Sequence, residues 1–173
     1  QKTLQEHIEV YAATYRAVKS ADSTAKFGGP ATMSWKLTPS TPSARFVLKD
    51  WIKALAEYNQ KLAPGKKVKL DFISWQDYGW AGPDLSEGAD AVSGFLKENG
   101  LDPETPKMLA GSGWGSWASN YLDQNQTSFQ RAAHVARSLI HEFGNPGKRK
   151  FSQALYYSFY FNDYWMTPET EAD

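Results

Sequence analysis

The stretch "LQEHIEVYAATYRAVKSADSTAKFGGPAT", Leu4 to Thr32, carries two periodicities in one short run. Leu4, Ile8, Tyr11, Tyr15 and Val18 recur at spacings of four and three, the stripe of an amphipathic helix ending near Ser20 to Asp22. A short apolar strand follows in "AKFGGPAT" and runs into Gly28, Gly29 and Pro30, which interrupt a helix or a central strand. A helix feeding a strand through a few residues is one unit of an α/β fold.

The unit repeats along the chain. After the loop "LTPSTPS", Ser43 offers an N-cap for "ARFVLKDWIKALAEYNQKL", with Phe46, Val47, Trp51, Leu55 and Tyr58 as its stripe. "VKLDFISWQDYGW" alternates so loosely that it reads as a strand buried on both faces. A third helix is expected over 86–97, stopped by Gly100, with Pro103 and Pro106 in the connection. "KMLAGSGWGSWASNY", from Lys107, opens as the next strand, to about Ser112. A fourth helix over 128–143 and a last aromatic strand in "FSQALYYSFYFNDYW" complete the order. Residues 1–165 thus read as one domain of four alternating helix-strand units with parallel strands, and 166–173 as an acidic, fraying tail. Two architectures compete. A doubly wound open sheet is complete at this size, whereas a closed (β/α)8 barrel takes about 250 residues and would be only half present.

Composition narrows the function. With 173 residues, 41% of them hydrophobic, the chain can bury a sizeable core. Nineteen basic and nineteen acidic residues cancel, so no electrostatic footprint for nucleic acid or an anionic membrane is present. No apolar run approaches the roughly 20 residues of a membrane span. There is no cysteine, which excludes disulfides and thiolate chemistry. His7, His134 and His141 are too scattered to support a metal site, and no cofactor is expected. The absence of an initial methionine points to processing or to a piece of a longer polypeptide.

Parallel α/β folds keep their chemistry beyond the carboxyl ends of the strands. Four stretches qualify: "GGPATMSW", "SWQDYGW", "GSGWGSW" and "YFNDYW", and every one carries a tryptophan with small or polar partners. Aromatic faces stack on sugar rings and amides bond hydroxyls, so Trp35, Trp75, Gln76, Tyr78, Trp80, Trp114, Asn162 and Trp165 are candidate carbohydrate contacts. Core packing competes with this reading at each position. Asp77 and Asp163 lie just past strands and form a conceivable carboxylate pair, with turn capping as the competing role. A serine elbow does not fit the spacing of Gly111, Ser112 and Gly113, and no dinucleotide fingerprint surrounds Gly28 and Gly29.

"YAATYRAVKSAD" leading into "KFGGPA", then "LDFISWQDYG" and "LAGSGWGSW", resembles the second half of a family 39 glycoside hydrolase, a retaining enzyme on an eight-unit TIM barrel. The resemblance runs over nearly the whole chain and implies that the acid/base Glu precedes Gln1. It also implies a nucleophilic Glu where this chain has Gly113, in "Ser-Gly-Trp-Gly". Retaining chemistry needs two carboxyl groups roughly 5 to 5.5 Å apart, and glycine supplies none. No Asp or Glu occurs between Thr105 and Tyr121, so no shift of register restores it. An engineered replacement, a natural non-hydrolysing homologue and a different register all remain open.

Three functions follow: a glycoside hydrolase whose catalytic pair is completed outside this chain, a non-catalytic carbohydrate-binding or assembly protein, and a hydrolase using Asp77 and Asp163. Half a barrel leaves sheet edges and an apolar face open, so the missing amino-terminal half or a second copy is an expected partner. "NQT" at Asn125 is a glycosylation acceptor if the chain is secreted, which slightly favours an extracellular location.

Overall fold

The computed structural model describes residues 3–32, 35, 47–77, 86–114 and 151–154. Helix α1 spans Leu4–Ala21, strand β1 Gly28–Thr32, helix α2 Leu48–Gln60, strand β2 Phe72–Asp77, helix α3 Ser86–Glu98, strand β3 Lys107–Trp114 and strand β4 Gln153–Ala154. The helix expected over 128–143 and most of the aromatic strand after Phe151 lie outside the described residues.

Each helix starts and stops for a local reason. Thr3 caps α1 in a reciprocal box: its hydroxyl accepts from the Glu6 N–H at 3.2 Å while the Glu6 carboxylate accepts from the Thr3 N–H. Ile8, Tyr11 and Ala12 form the buried face. Helix α2 begins later than the Ser43 cap would place it. Val47 is its N-cap and makes no side-chain bond, and the first helical bond runs from Trp51 N–H to the Val47 carbonyl. The buried Leu48, Trp51, Ile52 and Leu55 anchor it, so core packing rather than a hydroxyl sets the boundary. Gly100 ends α3 with φ +69°, the left-handed conformation glycine adopts at little cost.

Two of the strands run further than their residues suggest. β1 passes through Gly-Gly-Pro to Thr32, with a cis bond between Gly29 and Pro30, and β3 continues to Trp114. Among the described strands β1 stands at the edge of the sheet, the position where proline is tolerated. Gly28 is required by proximity: a Cβ there would stand 2.1 Å from the Phe72 carbonyl oxygen.

The four described strands are all parallel and stand in the order β1-β2-β3-β4, with no reversal of the doubly wound kind among them. The helices also neighbour one another in chain order. Trp51 of α2 donates to His7 Nδ1 of α1 at 3.2 Å and Arg16 of α1 donates to the Tyr58 hydroxyl of α2 at 3.0 Å. Lys49 of α2 pairs with Glu98 of α3 at 3.1 Å. Sequential strands beneath a sequential helix layer make a sector of an α/β barrel, which removes the open-sheet alternative.

The core lies between those layers. Ile73, Trp75 and Leu109 join Ile8, Tyr11, Trp51, Ile52, Leu55, Val92 and Leu96 in one buried cluster. Residues alternate across a strand, so Phe72, Ser74 and Gln76 share the opposite face of β2, the inner face of the barrel sector.

Candidate functional site

The sheet is regular at its amino ends and irregular at its carboxyl ends. Gly28, Gly29 and Pro30 pair in step with Phe72, Ile73 and Ser74, and Ile73, Ser74 and Trp75 pair in step with Lys107, Met108 and Leu109. Beyond that level both ladders break. Between Pro30 and Thr32 the register slips, and the extra residue, Ala31, has φ +57°. Left-handed backbone costs an alanine about 1–2 kcal/mol relative to the right-handed region. From Trp75 to Asp77 β2 advances two residues while β3 advances five, from Leu109 to Trp114, so β3 holds three more. The four residues between, Ala110, Gly111, Ser112 and Gly113, stand against Gln76 alone and are small enough to fold into such a bulge. Bulges of this kind re-aim strand ends and gather beside functional sites, as does backbone strain.

The expected contacts divide by face. Trp75 is fully buried on the helix side, its ring centroid 5.4 Å from that of Phe151. Packing, not a stacked sugar, accounts for its place. Among the described residues its indole N–H has no hydrogen-bond partner, and neither has the buried hydroxyl of Thr32, its register partner in β1. Gln76, next in the chain, takes the inner face and is half-buried. Asp77 and Trp114 are register partners at the ends of β2 and β3, one residue beyond Gly113 on the β3 side. The structure therefore brings Gln76, Asp77, Gly113 and Trp114 to one level of neighbouring strands. Trp35 is half-buried against the core and lies on Gly88 of α3. Tyr78, Trp80, Asn162, Asp163 and Trp165 lie outside the described residues.

Ser74 is the inner-face residue that sequence reasoning passed over. It is buried beneath Gln76 on β2, and the two turn the inner face from apolar Phe72 to hydroxyl to amide toward the carboxyl end. Strict alternation around Trp75 is the signal that identifies it. An amide and small residues at strand ends suit neutral polyols: they offer hydrogen bonds without a fixed charge. Among the described residues no His, Cys, Asp or Glu group is placed to hold a metal.

The amino ends of the strands are built for stability. The Asp71 carboxylate meets Lys19 Nζ at 2.8 Å and accepts the Phe27 N–H at 2.9 Å, while the Asp71 N–H donates to the Phe27 carbonyl at 3.0 Å. Burial opposes ionisation of Asp71, but the Lys19 and Phe27 hydrogen bonds and the Lys19 and Lys26 charges outweigh it and hold the carboxyl below its ordinary range. Lys107, also buried, donates to the carbonyls of Pro103 at 2.8 Å and Thr105 at 3.1 Å. A groove of about 540 Å³ opens on this side, lined by residues that include Asp90, Ser93, Glu104, Lys107 and Ser152. Barrel chemistry sits at the opposite end, so that groove is not the candidate site.

The fold is shared with a solved glucosidase from Croceicoccus marinus, at 23% sequence identity and a TM-score of 0.66. The match covers 90% of this chain and 28% of the glucosidase chain, so this chain spans a minor part of that protein's length. At that identity the likeness establishes a glycosidase-like α/β fold. No protein-family model matches the chain, and no curated protein matches it.

Proposed function

We propose that this chain is a sector of a glycosidase-like barrel and holds carbohydrate at the carboxyl ends of its strands. The observation that carries the reading is the confinement of backbone irregularity to those ends, in a fold shared with a glucosidase. Gln76 on the inner face bonds sugar hydroxyls, Asp77 and Trp114 flank it, and Tyr78, Trp80, Asn162 and Trp165 add contacts from the adjoining stretches. In the family 39 resemblance the glycan's anomeric carbon faces Gly113, where a retaining enzyme has its nucleophile. This sector then contributes binding, and any acid/base Glu is carried outside it. The open edges of β1 and β4 are covered by further strands, from the rest of the barrel or from a second copy.

A non-catalytic carbohydrate-binding role is favoured over hydrolysis by one feature: the stretch between Thr105 and Tyr121 has no Asp or Glu. The two separate in an assay of aryl glycosides with added azide. A retaining site that lacks only its nucleophile lets azide attack the anomeric carbon. The C–O bond to the aryl group breaks, aryloxide leaves with the electron pair, and a glycosyl azide forms. With the part of the barrel that carries the acid/base present, release of the aryl alcohol that depends on azide in the native protein, and without azide in Gly113→Glu, identifies an enzyme whose missing carboxylate is the one at position 113. Oligosaccharide binding with neither release identifies the binding protein. Absence of both binding and turnover overturns the carbohydrate reading.

A further inference from the structure

Trp35 stands three residues past the end of β1, and Gly88 is the third residue of α3, the helix that follows β2. The indole lies so close to Gly88 that a Cβ there would be 2.5 Å from Nε1, 2.9 Å from Cδ1 and 3.1 Å from Cε2. Glycine in a helix costs about 1 kcal/mol relative to alanine. Gly94, in the same helix, has nothing within 4 Å of such a Cβ, so the requirement for glycine is specific to position 88. What Gly88 supplies is room for the indole. The contact reaches from the exit of β1 to the helix after β2, and both ends lie on the rim that carries the two broken ladders.

We infer that Trp35 and Gly88 form a brace that fixes the exits of β1 and β2 relative to each other, with Trp35 a positioning residue rather than a face that stacks on sugar. Its consequence for binding rests on the carbohydrate reading above. The brace itself rests on the contact. The ring that meets Gly88 is also packed against the main core, so it transmits the position of α3 directly to the residues after β1. A methyl group at position 88 must displace the indole, because its Cβ would stand within 3.0 Å of Nε1 and Cδ1.

The protein labelled with 5-fluorotryptophan tests this, using cellotetraose and xylotetraose as probes. Trp35→Phe identifies the Trp35 fluorine resonance by its loss. In Gly88→Ala that resonance moves further than those of the other tryptophans, and affinity for the bound oligosaccharide falls about tenfold, within the range of coupled neighbours. Phe lacks the indole edge that meets Gly88, so the double variant Gly88→Ala/Trp35→Phe recovers most of that loss and melts higher than Gly88→Ala alone. An unmoved resonance, or a double variant whose affinity and melting temperature are no better than those of Gly88→Ala, overturns the brace. If the native protein binds neither oligosaccharide, the carbohydrate reading fails, and the fluorine spectrum and melting temperatures still decide the brace.

Discussion

Ala31 and Asp71 mark the two ends of the sheet, and each answers to a different physical demand. Ala31 is the bulged residue of β1, held at φ +57° where a Cβ is crowded. Ala31→Gly removes that crowding but adds unfolded-state entropy, so we expect stability within about 1 kcal/mol of native, on the favourable side. Ala31→Val adds a branched side chain to the same backbone and costs more than about 1 kcal/mol. Urea denaturation of both variants checks this, and a valine variant as stable as native contradicts the left-handed assignment. Asp71 has a folded-state pKa below its unfolded value, so its contribution is complete above the ordinary carboxylate pKa of 3.8 and is lost as pH falls through the folded value. The stability difference between native protein and Asp71→Asn is therefore constant above about pH 5 and shrinks below about pH 4. A difference that instead grows as pH falls there contradicts the Lys19 pairing.

Among the elements, α2 is tied to the segment before β2 by one side chain. Asn59 donates to the Val68 carbonyl and accepts the Val68 N–H, both at 2.8 Å, and is buried. Asn59→Ala leaves both backbone groups buried and unpaired and costs about 2–4 kcal/mol. Asn59→Asp keeps the acceptor but loses the donor, and thermal melts place it below native. An Asn59→Ala melt indistinguishable from native contradicts the clamp. The helices of this region were legible because α1 keeps its stripe where spacing puts it, α3 falls where 86–97 was expected, and Gly100 stops α3 as its φ requires. The start of α2 was not legible, since burial of Leu48 outweighed the serine hydroxyl at position 43. Nor was the inward face of β2. Trp75 and Gln76 are adjacent and point opposite ways, but a strand covered on both sides shows no polar face by which to choose between them. The bulge in β3 was hidden for a related reason: Ala110 to Gly113 suit a close approach and a bulge equally well.

Across its described residues the molecule is a one-directional winding, with parallel strands in chain order beneath helices in chain order. This winding makes it a barrel sector rather than an open sheet, and it sets the carboxyl ends of β1, β2 and β3 side by side. The aromatic and glycine pattern placed the candidate contacts at those ends. It did not separate packing tryptophans such as Trp75 from polar residues that face inward. Two places on the described surface compete for a ligand, the strand ends at Gln76, Asp77, Gly113 and Trp114 and the opposite groove at Asp90, Ser93, Glu104 and Ser152. Backbone amide shift mapping of the protein titrated with cellotetraose and xylotetraose separates them. The account predicts perturbations centred on Gln76, Asp77, Gly113 and Trp114 with the groove unmoved. Perturbations centred on the groove, or none with either sugar, would contradict it.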